Sequence, residues 1–189
     1  MILGKRSAPK LDLLALLPKR GIGAEVGVHL GDFSKSLLHW SRPRKLFLID
    51  PWRFEAGDDY KNSWYGGPGH TAQELEDRYQ SVHKRFSRYV NSGRVIILRQ
   101  TSEAGLGTLE DASLDYVYID GNHNYEFVKR DLELSLQKVR SGGYITGDDY
   151  RPDGWWKGGV KKAVDEFGWR EKKVELLWIK GRQFVFQRR

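Results

Sequence analysis

Strand-like and helix-like patterns alternate along this chain, and that alternation constrains its fold more than any other feature. Five short apolar runs read as strands: Ala24–Val28, Lys45–Ile49, Val95–Leu98, Leu114–Ile119 and Tyr144–Thr146. Most are closed at once by a turn signal, as in Asp50-Pro51, Asp120-Gly121 and Gly147-Asp148-Asp149. Runs that are apolar on both faces suit a parallel sheet covered by helices. The gaps between them carry apolar residues every three or four positions, the signature of a helix with one buried stripe. Phe33, Leu37 and Trp40 make one stripe, and Ala72, Leu75, Tyr79, Val82, Phe86 and Tyr89 a second. The second opens on a capping box, Thr71-x-x-Glu74, and closes on Ser92-Gly93. Tyr125, Val128, Leu132, Leu136 and Val139 make a third, stopped by Gly142-Gly143, and Val160, Ala163, Val164 and Phe167 a fourth, stopped by Gly168. A short helix over 10–17 ends at Pro18. Val174–Ile179 and Gln183–Phe186 read as a closing hairpin around a loop of residues 180–182. Residues 51–70, with Trp52, Trp64, Tyr65 and several glycines, form the longest irregular stretch, which reads as a lid or inserted loop.

At 189 residues the chain fits one domain over 1–189. No apolar run approaches the roughly 20 residues of a membrane span. The absence of cysteine excludes disulfides, thiolate metal sites and cysteine nucleophiles. The first residues, MILGKRSAPK, do not read as a secretion signal, so a cytoplasmic location is the default. The net charge of +7 favours anionic partners, but the cations are spread along the sequence. Their local groups, 157–162, 170–173 and 188–189, make no long basic block, which favours a basic enzyme surface over a nucleic-acid binder.

Three constellations carry chemistry. Glu25-Val26-Gly27-Val28-His29-Leu30-Gly31 runs from the first strand into a helix, where glycine permits a sharp turn and close approach of a ligand. It lacks the middle glycine of the dinucleotide fingerprint, which disfavours a nicotinamide-dependent oxidoreductase. Asp50 ends the second strand, where a carboxylate can accept from both ribose hydroxyls of an adenosine cofactor; Asp-Pro is also an ordinary turn starter. Asp120, His123, Asp148 and Asp149 follow the fourth and fifth strands. Ligands in open α/β sheets sit outside such carboxyl ends, and clustered carboxylates repel unless something such as a divalent cation neutralises them. His29, His39, His70 and His83 have no comparable acidic neighbours, and His83 reads as a surface residue. Trp52, Trp64, Tyr65, Trp155 and Trp156 fall after strand ends near the inferred mouth, where packing and substrate contact fit equally; Trp169 and Trp178 read as core.

The segments EVGVHLGDFS (25–34), LFLIDPW (46–52) and LDYVYIDGNHNYEFVKRDLELSLQKVRSGGYITGDDY (114–150) resemble a class I S-adenosylmethionine-dependent methyltransferase, within the group of macrocin-type and related sugar O-methyltransferases. The resemblance implies a Rossmann-like α/β fold with a seven-stranded, mostly parallel sheet, a C-terminal antiparallel hairpin and helices on both faces. It implies that Glu25, Gly27 and Gly31 shape the loop around the amino-acid end of S-adenosylmethionine, that Asp50 binds the ribose and that Ser102 contacts adenine. It further implies that Asp120, Asp148 and Asp149 hold magnesium, that Asp120 also borders the cofactor, and that His123 is the base. The expected acceptor is a small hydroxylated molecule such as a sugar or natural product. A nucleic-acid methyltransferase and a non-catalytic cofactor-binding module are the alternatives. The first lacks any Asn-Pro-Pro-Tyr-type motif; the second has no need of three clustered carboxylates. A homo-oligomer would suit a chain with no sizeable lid domain of its own.

Overall fold

The structure is a computed structural model that describes residues 9–189. The reading of no secretion signal falls largely on residues 1–8 and lies outside the described residues. Seven strands form one sheet: β1 (Ile22–Val26), β2 (Lys45–Ile49), β3 (Val95–Leu98), β4 (Leu114–Ile119), β5 (Val139–Gly147), β6 (Val174–Lys180) and β7 (Gln183–Arg188). Their order is β3-β2-β1-β4-β5-β7-β6. The first five run parallel, and β7 lies antiparallel between β5 and β6.

Among the described residues, six helices cover the sheet: α1 (Pro9–Leu16), α2 (Asp32–Trp40), α3 (Ala72–Asn91), α4 (Ser102–Gly107), α5 (Tyr125–Lys138) and α6 (Gly159–Arg170). Side chains alternate across each strand. Leu46, Leu48, Tyr116 and Tyr118 therefore meet residues of α1, α2 and α3, while Ala24, Val26, Val117 and Ile119 meet those of α5 and α6. Both faces of the central strands are buried, which is why their sequences are continuously apolar. Each fully buried Leu, Val or Phe contributes roughly 1.5–3 kcal/mol. Half of the capping box of α3 is formed: Thr71 Oγ1 accepts from Glu74 N at 3.1 Å, while the Glu74 carboxylate turns to His70 and Arg78.

β2, β3 and β4 have the expected bounds. β1 begins earlier, at Ile22, and ends at Val26, because the chain turns at Gly27 with φ +84. A Cβ at Gly27 would lie 2.0 Å from the Asp120 carbonyl oxygen, so only glycine lets the ends of β1 and β4 approach this closely. β5 is longer than expected and runs through Gly142-Gly143, and α6 continues through Gly168 to Arg170. That continuation carries Trp169 to the side of α6 opposite Val160 at 3.6 residues per turn. Trp169 is therefore 77% exposed rather than core, and Trp178 is half-buried. The hairpin turn is shorter than expected: Lys180 pairs with Gln183, leaving Gly181-Arg182 as the loop, with Gly181 at φ +60.

Residues 51–71 are folded onto the sheet. Trp52 is buried and its indole Nε1 donates to His29 O at 2.8 Å. Glu55 N donates to Tyr65 O at 2.8 Å, and a 3-10 turn spans Asp58–Tyr60. The Tyr60 ring meets Phe127 of α5 edge-on at 6.3 Å, so the insert reaches from the end of β2 to the helix after β4. Among the described residues, no helix is long and apolar enough to cross a membrane.

Candidate active site

The chain leaves β1 toward β2 on one side and leaves β4 toward β5 on the other, while β1 and β4 lie side by side. In open α/β sheets such a switch point is where ligands bind, in the crevice at the carboxyl ends of the strands. Its floor on one side is the turn from β1 into α2. Gly31, with φ +77, precedes α2, and its N donates to Val28 O at 2.8 Å. Glu25 is 1% exposed on β1 and accepts from Ser34 Oγ of α2 at 2.5 Å. Burial, reinforced by the charges of Asp120 and Asp50, pushes its carboxyl up to about 8, although the Ser34 bond works against the rise.

Asp50 follows β2 and is 1% exposed. Its Oδ2 accepts from Val28 N and His29 N, both at 2.9 Å, and from the Tyr65 hydroxyl at 2.5 Å. Its Oδ1 accepts from Trp52 N at 2.8 Å. Burial raises the Asp50 carboxyl above the usual carboxylate range, and these donors oppose the rise. Asp50 thus ties the β1 turn, its own strand end and the insert together. The His29 ring lies tilted against Trp64, with centroids 4.5 Å apart, and burial lowers its imidazole to about 4.

Across the crevice, β4 delivers Asp120 and β5 delivers Asp148-Asp149. Ligand atoms of Asp120, His123 and Asp149 all lie within 4.8 Å of one another. His123 Nε2 is 3.3 Å from Asp120 Oδ1 and 3.6 Å from Asp149 Oδ2. Burial raises the Asp120 carboxyl, with the His123 hydrogen bond opposing it. Asp149 adopts φ +58, while the Asp148 carboxylate turns to Lys10 Nζ at 2.6 Å. Arg182 Nη1 from the hairpin turn sits 3.2 Å from Asp149 Oδ1, and Arg151 Nε lies 3.8 Å from it. The mutual repulsion of these carboxylates is therefore answered by Lys10, Arg151 and Arg182.

A family model described as a methyltransferase domain matches residues 24–150, which span Glu25, Asp50, Asp120, His123 and Asp149. The chain belongs to that methyltransferase-domain family. Among curated proteins it is 30% identical over 129 residues to the uncharacterised protein y4gI of Sinorhizobium fredii, a match spanning 66% of this chain and 12% of that protein. It is 42% identical over 53 residues to the uncharacterised protein R132 of Acanthamoeba polyphaga mimivirus, spanning 28% of this chain and 24% of that protein. Among solved structures it is similar to the O-methyltransferase TomG from Streptomyces achromogenes, solved in complex with SAM, with a TM-score of 0.65 and 19% identity over 97% of this chain and 81% of that one. Cofactor-bound Rv0187 from MTB gives a TM-score of 0.67 at 14% identity, covering 99% of this chain and 83% of that one. The O-methyltransferase NovP gives 0.62 at 21% identity, covering 91% and 72%. The fold is the Rossmann-like class I methyltransferase fold.

In this methyltransferase-domain chain the expected site residues are distributed as follows. Glu25, Gly27, Gly31 and Asp50 gather at the ends of β1 and β2, and Asp120, His123 and Asp149 at the ends of β4 and β5. Asp148 stands outside the ligand-atom cluster of Asp120, His123 and Asp149. Ser102 is the first residue of α4 and hydrogen-bonds Asp131 of α5, whose carboxyl is pushed up to about 7 by burial. His70 does have an acidic neighbour, with Nδ1 2.9 Å from Glu74 Oε2. Of the aromatic residues near the mouth, Trp52 and Trp156 are buried, Tyr65 and Trp155 half-buried and Trp64 exposed. Trp156 packs 4.6 Å from the His123 ring. Sequence reasoning missed Tyr65 as the partner of Asp50 and Arg182 as the partner of Asp149. Neither carries a local signal, since each bond joins elements far apart in the chain.

Proposed function

We propose that the protein transfers the methyl group of S-adenosylmethionine to a hydroxyl oxygen of a small acceptor. The observation that carries this reading is the convergence of Asp120, His123 and Asp149 opposite the buried carboxylates Glu25 and Asp50. Asp50, at the end of β2, suits a ligand rich in hydroxyls. TomG, a structural neighbour, is an O-methyltransferase solved with SAM, which supports the same reading.

The cofactor supplies a methyl already activated on a sulfonium, so the protein's task is alignment and proton removal. Asp50 would hold the ribose hydroxyls, in competition with the Tyr65 hydroxyl. Glu25 and the Gly27–Gly31 turn border the amino-acid end. His123 Nε2 takes the acceptor's hydroxyl proton as the oxygen bonds the methyl carbon, while the carbon–sulfur electrons return to sulfur. The new Nε2–H then faces Asp120 Oδ1 and Asp149 Oδ2, 3.3 and 3.6 Å from this nitrogen, and donates to them. Trp155 and Trp156 flank the imidazole and keep water from it.

A second reading has one favouring observation: Asp120, His123 and Asp149 also form a donor set for a divalent cation. Two carboxylate oxygens and one imidazole nitrogen suit manganese, iron or zinc better than magnesium, which prefers oxygen alone. Such an ion would supply Lewis-acid polarisation of the acceptor hydroxyl. The test is transfer of labelled methyl from S-adenosylmethionine to a panel of hydroxylated small molecules, with and without chelator. Turnover in chelator that is lost in His123→Asn supports the imidazole as base. Turnover abolished by chelator and restored by a transition metal supports the metal reading. Label appearing only in added nucleic acid, or in no acceptor, sinks the small-molecule proposal.

A further inference from the structure

A cavity of about 930 Å³ opens between α2 and α3 at the amino ends of β1, β2 and β3, the edge of the sheet opposite the crevice. Arg20, Lys35, Arg42, Arg44, Arg85 and Arg94 line it, and no aspartate or glutamate does, although the chain has 25 acidic residues. These cations are scattered in sequence, and the sheet register gathers them. Arg44 N donates to Gly21 O at 2.9 Å and Leu46 N to Arg94 O at 2.8 Å. The residues that enter β1, β2 and β3 therefore stand in one row, roughly 4.8 Å apart per strand.

Among the described residues, only Arg85 of the six has a carboxylate partner, Asp32 at 2.7 Å. Arg94 is fixed in place: its Nε donates to Pro43 O at 2.7 Å and its guanidinium lies 5.3 Å from the Tyr89 ring centre. Arg20 and Arg42 occupy left-handed backbone, φ +60 and +47, where glycine would be unstrained. Crowded cations without counter-charges repel, so the groove is electrostatically incomplete without an anion. Aromatic faces adjoin it. His39 and Tyr89 line the cavity, and the exposed Trp40 meets His39 edge-on at 5.5 Å.

We propose that this groove binds the phosphate backbone of a single-stranded nucleic acid, with bases stacking on the adjoining aromatics. A basic trough that follows the backbone beside stacking platforms is the usual means of holding single strands. The row of cations crosses three strands, which exceeds the reach of one phosphate group. The trough is concave, whereas a bilayer surface is met by a protruding face with apolar residues. The site lies away from the crevice and does not rest on the methyl-transfer reading.

The experiment is fluorescence anisotropy of a labelled oligouridylate titrated with the full chain at increasing salt. The expected logarithmic salt slope is about −0.7 per phosphate contacted, hence about −2 to −4 for three to six contacts. Arg42→Glu combined with Arg44→Glu should weaken binding by about ten-fold or more. The circular dichroism spectrum of that variant should match wild type. A control, Lys172→Glu with Lys173→Glu, reverses two exposed charges elsewhere and should weaken binding less than about three-fold. Four results would overturn the proposal. The oligonucleotide does not bind at low salt. The control weakens binding as much as the groove variant, which leaves only net-charge attraction. Inorganic triphosphate binds as tightly and displaces the oligonucleotide, which makes this a small-anion site. Phosphatidylserine vesicles bind through Arg42 and Arg44 while the oligonucleotide does not, which makes it a membrane contact.

Discussion

Replacing Glu25 by glutamine removes a buried acid whose burial and hydrogen bonding are both defined. Glu25 is 1% exposed in the middle of the sheet, and burial pushes it from 4.5 to about 8. A carboxyl raised in the folded state holds a proton that the unfolded chain releases. Stability contributed by that proton is therefore full below pH 4.5, declines as pH rises toward 8 and is gone above it. At about 1.4 kcal/mol per pH unit the whole displacement is worth roughly 5 kcal/mol, and local relaxation lowers this to about 2–5 kcal/mol. Glutamine cannot ionise, yet its amide oxygen still accepts from Ser34. Glu25→Gln should thus lie within about 1 kcal/mol of wild type at pH 5 and exceed it by about 2–5 kcal/mol at pH 9. Urea denaturation of both proteins across that range measures the difference, in which the other titrating carboxyls largely cancel. Parallel stability curves for the two proteins would refute a protonated, buried Glu25.

Gly27→Ala puts a Cβ 2.0 Å from the Asp120 carbonyl oxygen at φ +84, so thermal denaturation should show a loss of about 2–5 kcal/mol; an unchanged Tm contradicts the close contact of β1 and β4. Tyr65→Phe deprives Asp50 of one donor and removes a competitor for the ribose. It should lower unliganded stability by about 1–2 kcal/mol and tighten S-adenosylhomocysteine binding about five-fold; weaker binding by calorimetry would show that Tyr65 belongs to the cofactor site instead. His123→Asn should reduce turnover by about a hundred-fold or more while leaving S-adenosylhomocysteine affinity within about three-fold; equal losses in both would make His123 a structural residue.

Much of the fold was legible because the physics that forms it is local and repetitive. β4 is buried on both faces, and β2 and the edge strand β3 are buried or half-buried along their length, so their apolar runs stop where the strands stop. Thr71 and Glu74 announce the start of α3 through a bond between residues three apart. What failed depended on context. Gly168 stops an isolated helix, but packing of Phe167 against Phe186 at 5.3 Å keeps α6 intact past it and turns Trp169 outward. The site divides in the same way. The strand-end positions of Asp120 and Asp149 are written in the sequence, and so is the loop position of His123. The opposite orientations of Asp148 and Asp149 are not, because they follow from one left-handed residue and from Lys10 and Arg182, which other parts of the chain bring in. The basic groove was invisible for a related reason. Arg20 and Arg94 lie far apart until the strands set them in a row.

The central claim is that the strand ends carrying the β1 turn and Asp50 bind S-adenosylmethionine. Calorimetric titration of S-adenosylhomocysteine into wild type, Asp50→Asn and Asp50→Ala tests it most directly, with urea denaturation confirming that each variant is folded. The account predicts saturable binding at one site per chain. It predicts a loss of about 1.5–3 kcal/mol in Asp50→Ala, where the charged hydrogen bonds to the ribose are gone, and a smaller loss in Asp50→Asn. No heat of binding to folded wild type, or equal affinity in all three proteins, would contradict it.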